Sequence, residues 1–71
     1  MSDYHPNTIR LIKIEDEAIE FGWYSLHPKK CFCSEVARRT DELGNDYPSD
    51  KAIQTAKRML NQLKRRVGKA E

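Results

Sequence analysis

Residues 49–67, Ser49-Asp-Lys-Ala-Ile-Gln-Thr-Ala-Lys-Arg-Met-Leu-Asn-Gln-Leu-Lys-Arg-Arg-Val67, read as one long helix, apolar on one side and basic on the other. Ile53, Ala56, Leu60, Leu63 and Val67 recur at helical spacing and are expected to face the core. Ser49 is placed to cap the helix, because its hydroxyl can accept a hydrogen bond from a first-turn amide. Asp50 in the first turn and Lys64, Arg65 and Arg66 in the last complement the helix macrodipole, and Gly68 supplies a stop. Lys51, Gln54, Thr55, Arg58 and Gln62 are left to face outward.

Charge is divided along the chain in the same way. From Lys51 onward there are seven cations (Lys51, Lys57, Arg58, Lys64, Arg65, Arg66 and Lys69) and one acid, Glu71. The first fifty residues carry six cations and ten acids, so a net charge of only +2 conceals a polarised molecule. Such asymmetry marks a surface for a polyanion or for an oppositely charged partner. At 71 residues the chain has room for one small domain, spanning 1–71, whose ends at 1–6 and 69–71 are expected to be disordered.

Working back from the long helix, Asn45-Asp-Tyr-Pro48 is a turn cluster. Before it, Ser34 is expected to cap a shorter helix ending at Leu43, with Val36, Ala37, Thr40 and Leu43 on one side and Gly44 as a left-handed stop. Trp23–Lys30 is a connector punctuated by Pro28. A first helix is expected from a cap at Asn7 or Thr8 to about Phe21, stopped by Gly22; a short strand over Thr8–Ile14 is the competing assignment, since that stretch is rich in β-branched residues. On a helical wheel Leu11, Ile14, Ala18 and Phe21 form one apolar flank and Ile12, Ile19 and Trp23 an adjacent one. So wide an apolar arc implies a helix packed against two neighbours. The expected fold class is therefore all-α, with three main helices.

Cys33-Ser-Glu-Val-Ala-Arg-Arg-Thr-Asp-Glu-Leu-Gly44 resembles the first helix of a helix-turn-helix, in which Ser or Thr before Glu-Val-Ala opens the support helix and Gly closes it. The long helix after it looks like the recognition helix of a winged-helix-like domain, with Met59-Leu60-Asn61-Gln62-Leu63 as its packing half. The turn from Gly44 to Ser49 is longer than that of the simplest helix-turn-helix, and only Gly68 to Glu71 follow, too few residues for a wing. The resemblance implies a small DNA-binding, transcription-regulating protein. Lys51, Gln54, Thr55 and Arg58 would lie nearest the bases and Gln62 beside them. Lys57, Lys64, Arg65 and Arg66 would lie on phosphate, with Arg38 and Arg39 adding backbone contacts. Double-stranded DNA is then the partner, helped by a homodimer or a protein partner, because one helix alone gives limited affinity. The alternative is a protein-interaction module, an inhibitor or adaptor of viral or mobile-element type, that binds a partner protein instead.

Other groups point to less. His27, Cys31 and Cys33, with His5 at a distance, suggest zinc, but the one-residue gap between the cysteines departs from structural zinc spacing. Reduced thiols are the expectation, with Cys31 or Cys33 packed as a small apolar group beside Phe32, and with them a cytoplasmic protein. Glu15, Asp16, Glu17 and Glu20 fan around a helix and do not converge on one site. There is no nucleophile–base signature and no glycine-rich phosphate loop, so neither an enzyme nor a cofactor is expected. No apolar run is long enough to cross a bilayer, and no basic segment leads into an apolar one near the start. Trp23 and Tyr24 are expected to close the core at the end of the first helix.

Overall fold

The computed structural model describes residues 4–68, which form four helices and no strand: α1 (Pro6–Glu20), α2 (Trp23–Leu26), α3 (Phe32–Arg39) and α4 (Asp50–Gly68). The fold class is all-α. Thr8–Ile14, for which a strand was the competing assignment, is helical throughout. The flanking stretches 1–3 and 69–71, where disorder was expected, lie outside the described residues. Tyr4, His5 and Pro6 lie within them.

The start of α1 differs from the sequence reading. His5, not Asn7 or Thr8, is the N-cap, its Nδ1 accepting from the Asn7 amide at 3.0 Å, and Pro6 occupies the first turn, where its missing N–H costs nothing. The His5 ring stacks on Tyr47 at 3.9 Å. Asn7 is thereby released for a tertiary role. Its buried Nδ2 donates to the Pro48 carbonyl at 3.0 Å and to Asp50 Oδ1 at 3.1 Å, while its Oδ1 accepts from Arg10 at 3.1 Å. At the opposite end, Lys64 Nζ of α4 pairs with Glu17 Oε2 of α1 at 3.2 Å and lies 5.4 Å from the Phe21 ring centroid. Start meets start and end meets end, so α1 and α4 run parallel, and α2 and α3 make the crossing between them.

Helix α3 begins and ends earlier than expected. Phe32, fully buried and edge-on to Trp23 with ring centroids 5.1 Å apart, draws the first turn back to the extended Cys31, so Ser34 lies inside the helix and caps nothing. Thr40 then closes it by returning its hydroxyl to the Val36 carbonyl at 2.9 Å. Asp41 adopts the left-handed conformation (φ 57°), its amide and that of Glu42 donating to the Arg38 and Ala37 carbonyls at 3.3 and 2.8 Å. This is the reverse turn that usually takes glycine. Gly44 is also left-handed (φ 93°) but lies in the following turn, and Leu43, expected in the core, is 69% exposed.

Ser49 does cap α4, its Oγ accepting from the Ala52 amide at 3.3 Å. In a capping box the third helical residue would return the favour, but here that residue is Ala52. Glu42 does so from seven residues upstream, accepting from the Ser49 amide at 3.2 Å and from its hydroxyl. Ile14, Ala18, Trp23, Phe32, Val36, Ala52, Ile53, Ala56, Met59, Leu60 and Leu63 make up the core, with Leu11 and Phe21 packed at its edge. Val67 falls beyond the packed length of α4 and is half-exposed. Ile12 and Ile19 form no second packed flank: with Ile9 they are 41–43% exposed on the side of α1 turned away from α4. The helix does pack against its expected neighbours, α4 on one hand and α2 and α3 on the other, but through a single flank; Tyr24, expected in the core, is 39% exposed.

Candidate nucleic-acid interface

Packing fixes which side of α4 is available. Ala52, Ile53, Ala56, Met59, Leu60 and Leu63 are buried, so the opposite side carries Lys51, Gln54, Arg58, Asn61, Gln62 and Arg65, all exposed. Lys51, Arg58 and Arg65 recur at intervals of seven and fall on one line, about 21 Å long at ~1.5 Å per residue. Gln54 and Asn61 repeat the same interval beside it. Asn61 was missed from the sequence alone, although its spacing of seven from Gln54 was the available signal; an amide at that position can read adenine as Gln54 can.

The remaining candidates divide between the two flanks. Lys64 is held against α1 by Glu17 and Phe21, and the exposed Lys57 stands seven residues before it on the same side of α4. Gln62 and Arg66 border α2 and α3, and Thr55 is half-buried. Arg38 and Arg39 both close on the buried Glu35: Arg38 reaches it through Nη2 at 2.7 Å and Nε at 3.2 Å, and Arg39 through Nε at 3.1 Å. Those bonds, Arg38's first, hold the Glu35 carboxyl down at about 2 against a burial effect of opposite sign. Lys51, Lys57, Arg58, Arg65 and Arg66 form no ion pair among the described residues. The structure thus brings Lys51, Gln54, Arg58, Gln62 and Arg65 together, and sets Arg38 and Lys64 apart with carboxylates of their own.

The two ends of α4 differ in charge. Asp50 stands in its first turn and Glu42 on its cap, and Asp41 and Asp46 lie in the segment leading into it, with no cation between residues 41 and 50. Glu42 and Asp50 are engaged by Ser49 and Asn7, while Asp41 and Asp46 are exposed. A phosphate is therefore repelled from the helix start and attracted to its middle and end.

The cysteines are free. Cys31 Sγ lies 3.6 Å from Glu15 Oε2, and burial first, then Glu15, pushes the half-buried Cys33 thiol up to about 12. Cys33 is a poor nucleophile in that state. Among the described residues no three His, Cys, Asp or Glu side chains come together as a metal site, and no helix is long and apolar enough to cross a membrane. Comparison with models of protein families, with curated proteins and with solved structures returns no match to this chain.

Proposed function

We propose that the protein binds double-stranded DNA through the outward side of α4 and acts as a small transcription-regulating factor. One observation carries this reading: the cations Lys51, Arg58 and Arg65 stand in line, interleaved with Gln54, Asn61 and Gln62, and no carboxylate follows Asp50 on the helix. The major groove admits a single helix, guanidinium and carboxamide groups match base edges there, and flanking lysines and arginines neutralise phosphate. Arg58 and Gln54 lie nearest the bases; Lys51, Lys57, Arg65 and Arg66 take the backbone.

The test is fluorescence anisotropy of a labelled random duplex near 50 and near 200 mM salt, where several phosphate contacts would weaken binding by about a thousandfold. Affinity that collapses with salt supports the reading; no binding at the lower salt overturns it. A second reading, a protein-interaction module, draws on Ile9, Ile12 and Ile19, which leave an apolar line on α1 facing away from α4. That line is where a second copy or a partner protein would sit. Its test is recovery of one defined partner, or of a dimer, that is lost in Ile12→Ser.

A further inference from the structure

Beside the DNA-facing side of α4, donors from three elements converge on one cleft. Met59, Gln62 and Arg66 lie along one edge of α4, facing Trp23, His27 and Arg39 at the ends of α2 and α3, around a space of about 130 Å³. A space of that volume has room for a group of phosphate size. The floor is apolar and fixed: Trp23 is buried, its Nε1 donates to the Lys30 carbonyl at 2.9 Å, and the His27 ring lies against it at 4.2 Å. The rim consists of donors, and among the described residues no carboxylate lines the space. Arg39 is anchored through Nε to Glu35, so its terminal nitrogens remain to donate elsewhere, and Arg66 has no ion pair among the described residues. The Val36, Ala37 and Arg38 carbonyls near the end of α3, which would repel an anion, are occupied by the amides of Thr40, Glu42 and Asp41.

We infer that this cleft is a phosphate-binding site in which Arg39 and Arg66 clamp the oxygens and Gln62 and His27 supply further donors. Two guanidinium groups brought from different helices onto an apolar floor suit phosphate, because each can offer paired, charge-assisted hydrogen bonds. The shared chemistry is a phosphate group, carried either by a DNA backbone or by a free phosphate compound. Assigning it to the backbone rests on the proposed function; the site itself does not.

Trp23 is the only tryptophan of the chain, so its fluorescence reports on the floor directly. The full-length protein is titrated with inorganic phosphate at constant ionic strength, with chloride as the balancing anion. A saturable change with phosphate and none with chloride is expected, weakened about tenfold in Arg39→Gln and in Arg66→Gln and unchanged in Lys13→Gln, an exposed residue of α1 outside the cleft. Arg66→Gln is the cleaner variant, since Arg39→Gln also disturbs Glu35; matching far-UV circular dichroism and urea midpoints establish that each variant folds. A fluorescence change that follows ionic strength alone, or that survives both arginine substitutions, overturns the inference. The duplex titration separates the sources. A backbone phosphate requires Arg66→Gln to weaken duplex binding and lower its salt slope by about 0.9. Saturable phosphate binding without duplex binding keeps the site, assigns it to a free phosphate compound and removes the DNA reading. Salt-sensitive duplex binding without a phosphate response removes the site and keeps the reading.

Discussion

Single residues here take positions that other residue types fill more comfortably, and each makes a measurable difference. Asp41 holds the left-handed conformation that closes α3, and a side chain there is strained relative to glycine. Asp41→Gly is expected to raise stability by about 1 kcal/mol, read as a higher urea midpoint. Glu35 is nearly buried, at 7% exposure, yet charged, because Arg38 and Arg39 hold its carboxyl at about 2 against an ordinary 4.5. A carboxyl depressed in the folded state contributes fully above its unfolded value and loses that contribution as the pH falls through the folded one. Glu35→Gln is therefore expected to be less stable than the parent at pH 6, with the gap closing between about 4.5 and about 2. Urea midpoints measured across that interval check the sign, and a gap that widens on acidification would contradict the assignment.

At the scale of elements, the polar joints at the start of α4 hold the bundle in register. Asn7 ties the first turn of α1 to Pro48 and Asp50, and Glu42 completes the Ser49 cap from a distance. Asn7→Ala is expected to cost about 1–3 kcal/mol, because it strips partners from buried polar groups, whereas Glu42→Ala costs about 1 kcal/mol through the weakened cap. Both can be read from chemical unfolding. The long helix was legible in the sequence because its apolar spacing, its serine cap and its charge bias all agree, and the left-handed geometry at Gly44 was legible from glycine itself. The bounds of α3 were not. Local preference favoured Ser34 as the cap, but burial of Phe32 against Trp23 outweighed it, and an aspartate closed the helix where the sequence offered a glycine three residues later. Asn7 was misjudged for a similar reason: its side chain has partners 41 and 43 residues away, which no local pattern reveals. Of the proposed contacts, the outward line of α4 followed from periodicity, whereas the engagement of Lys64 by Glu17 and of Arg38 by Glu35 depends on tertiary neighbours.

For the whole molecule, that sorting of cations changes what substitution should do. Arg65→Gln, which removes a charge with no ion pair among the described residues, is expected to lower the slope of log affinity against log salt by about 0.9 for any duplex. Lys64→Gln, already paired with Glu17, should lower it by less and also reduce stability by a few tenths of a kcal/mol. Arg58→Ala should instead alter sequence preference, read by comparing affinities across a set of duplexes. The separation of charge along α4 bears on how such a complex would be reached. Acids gather around residues 41–50 and unpaired cations at Arg58, Arg65 and Arg66, in a body 39 Å long and 20 Å thick. In the field of a polyanion such a body feels a torque as well as an attraction: it turns its acidic end outward before contact and arrives with the last turns of α4 leading. Orientation would then be settled during diffusion, and added salt would slow arrival as well as hasten departure.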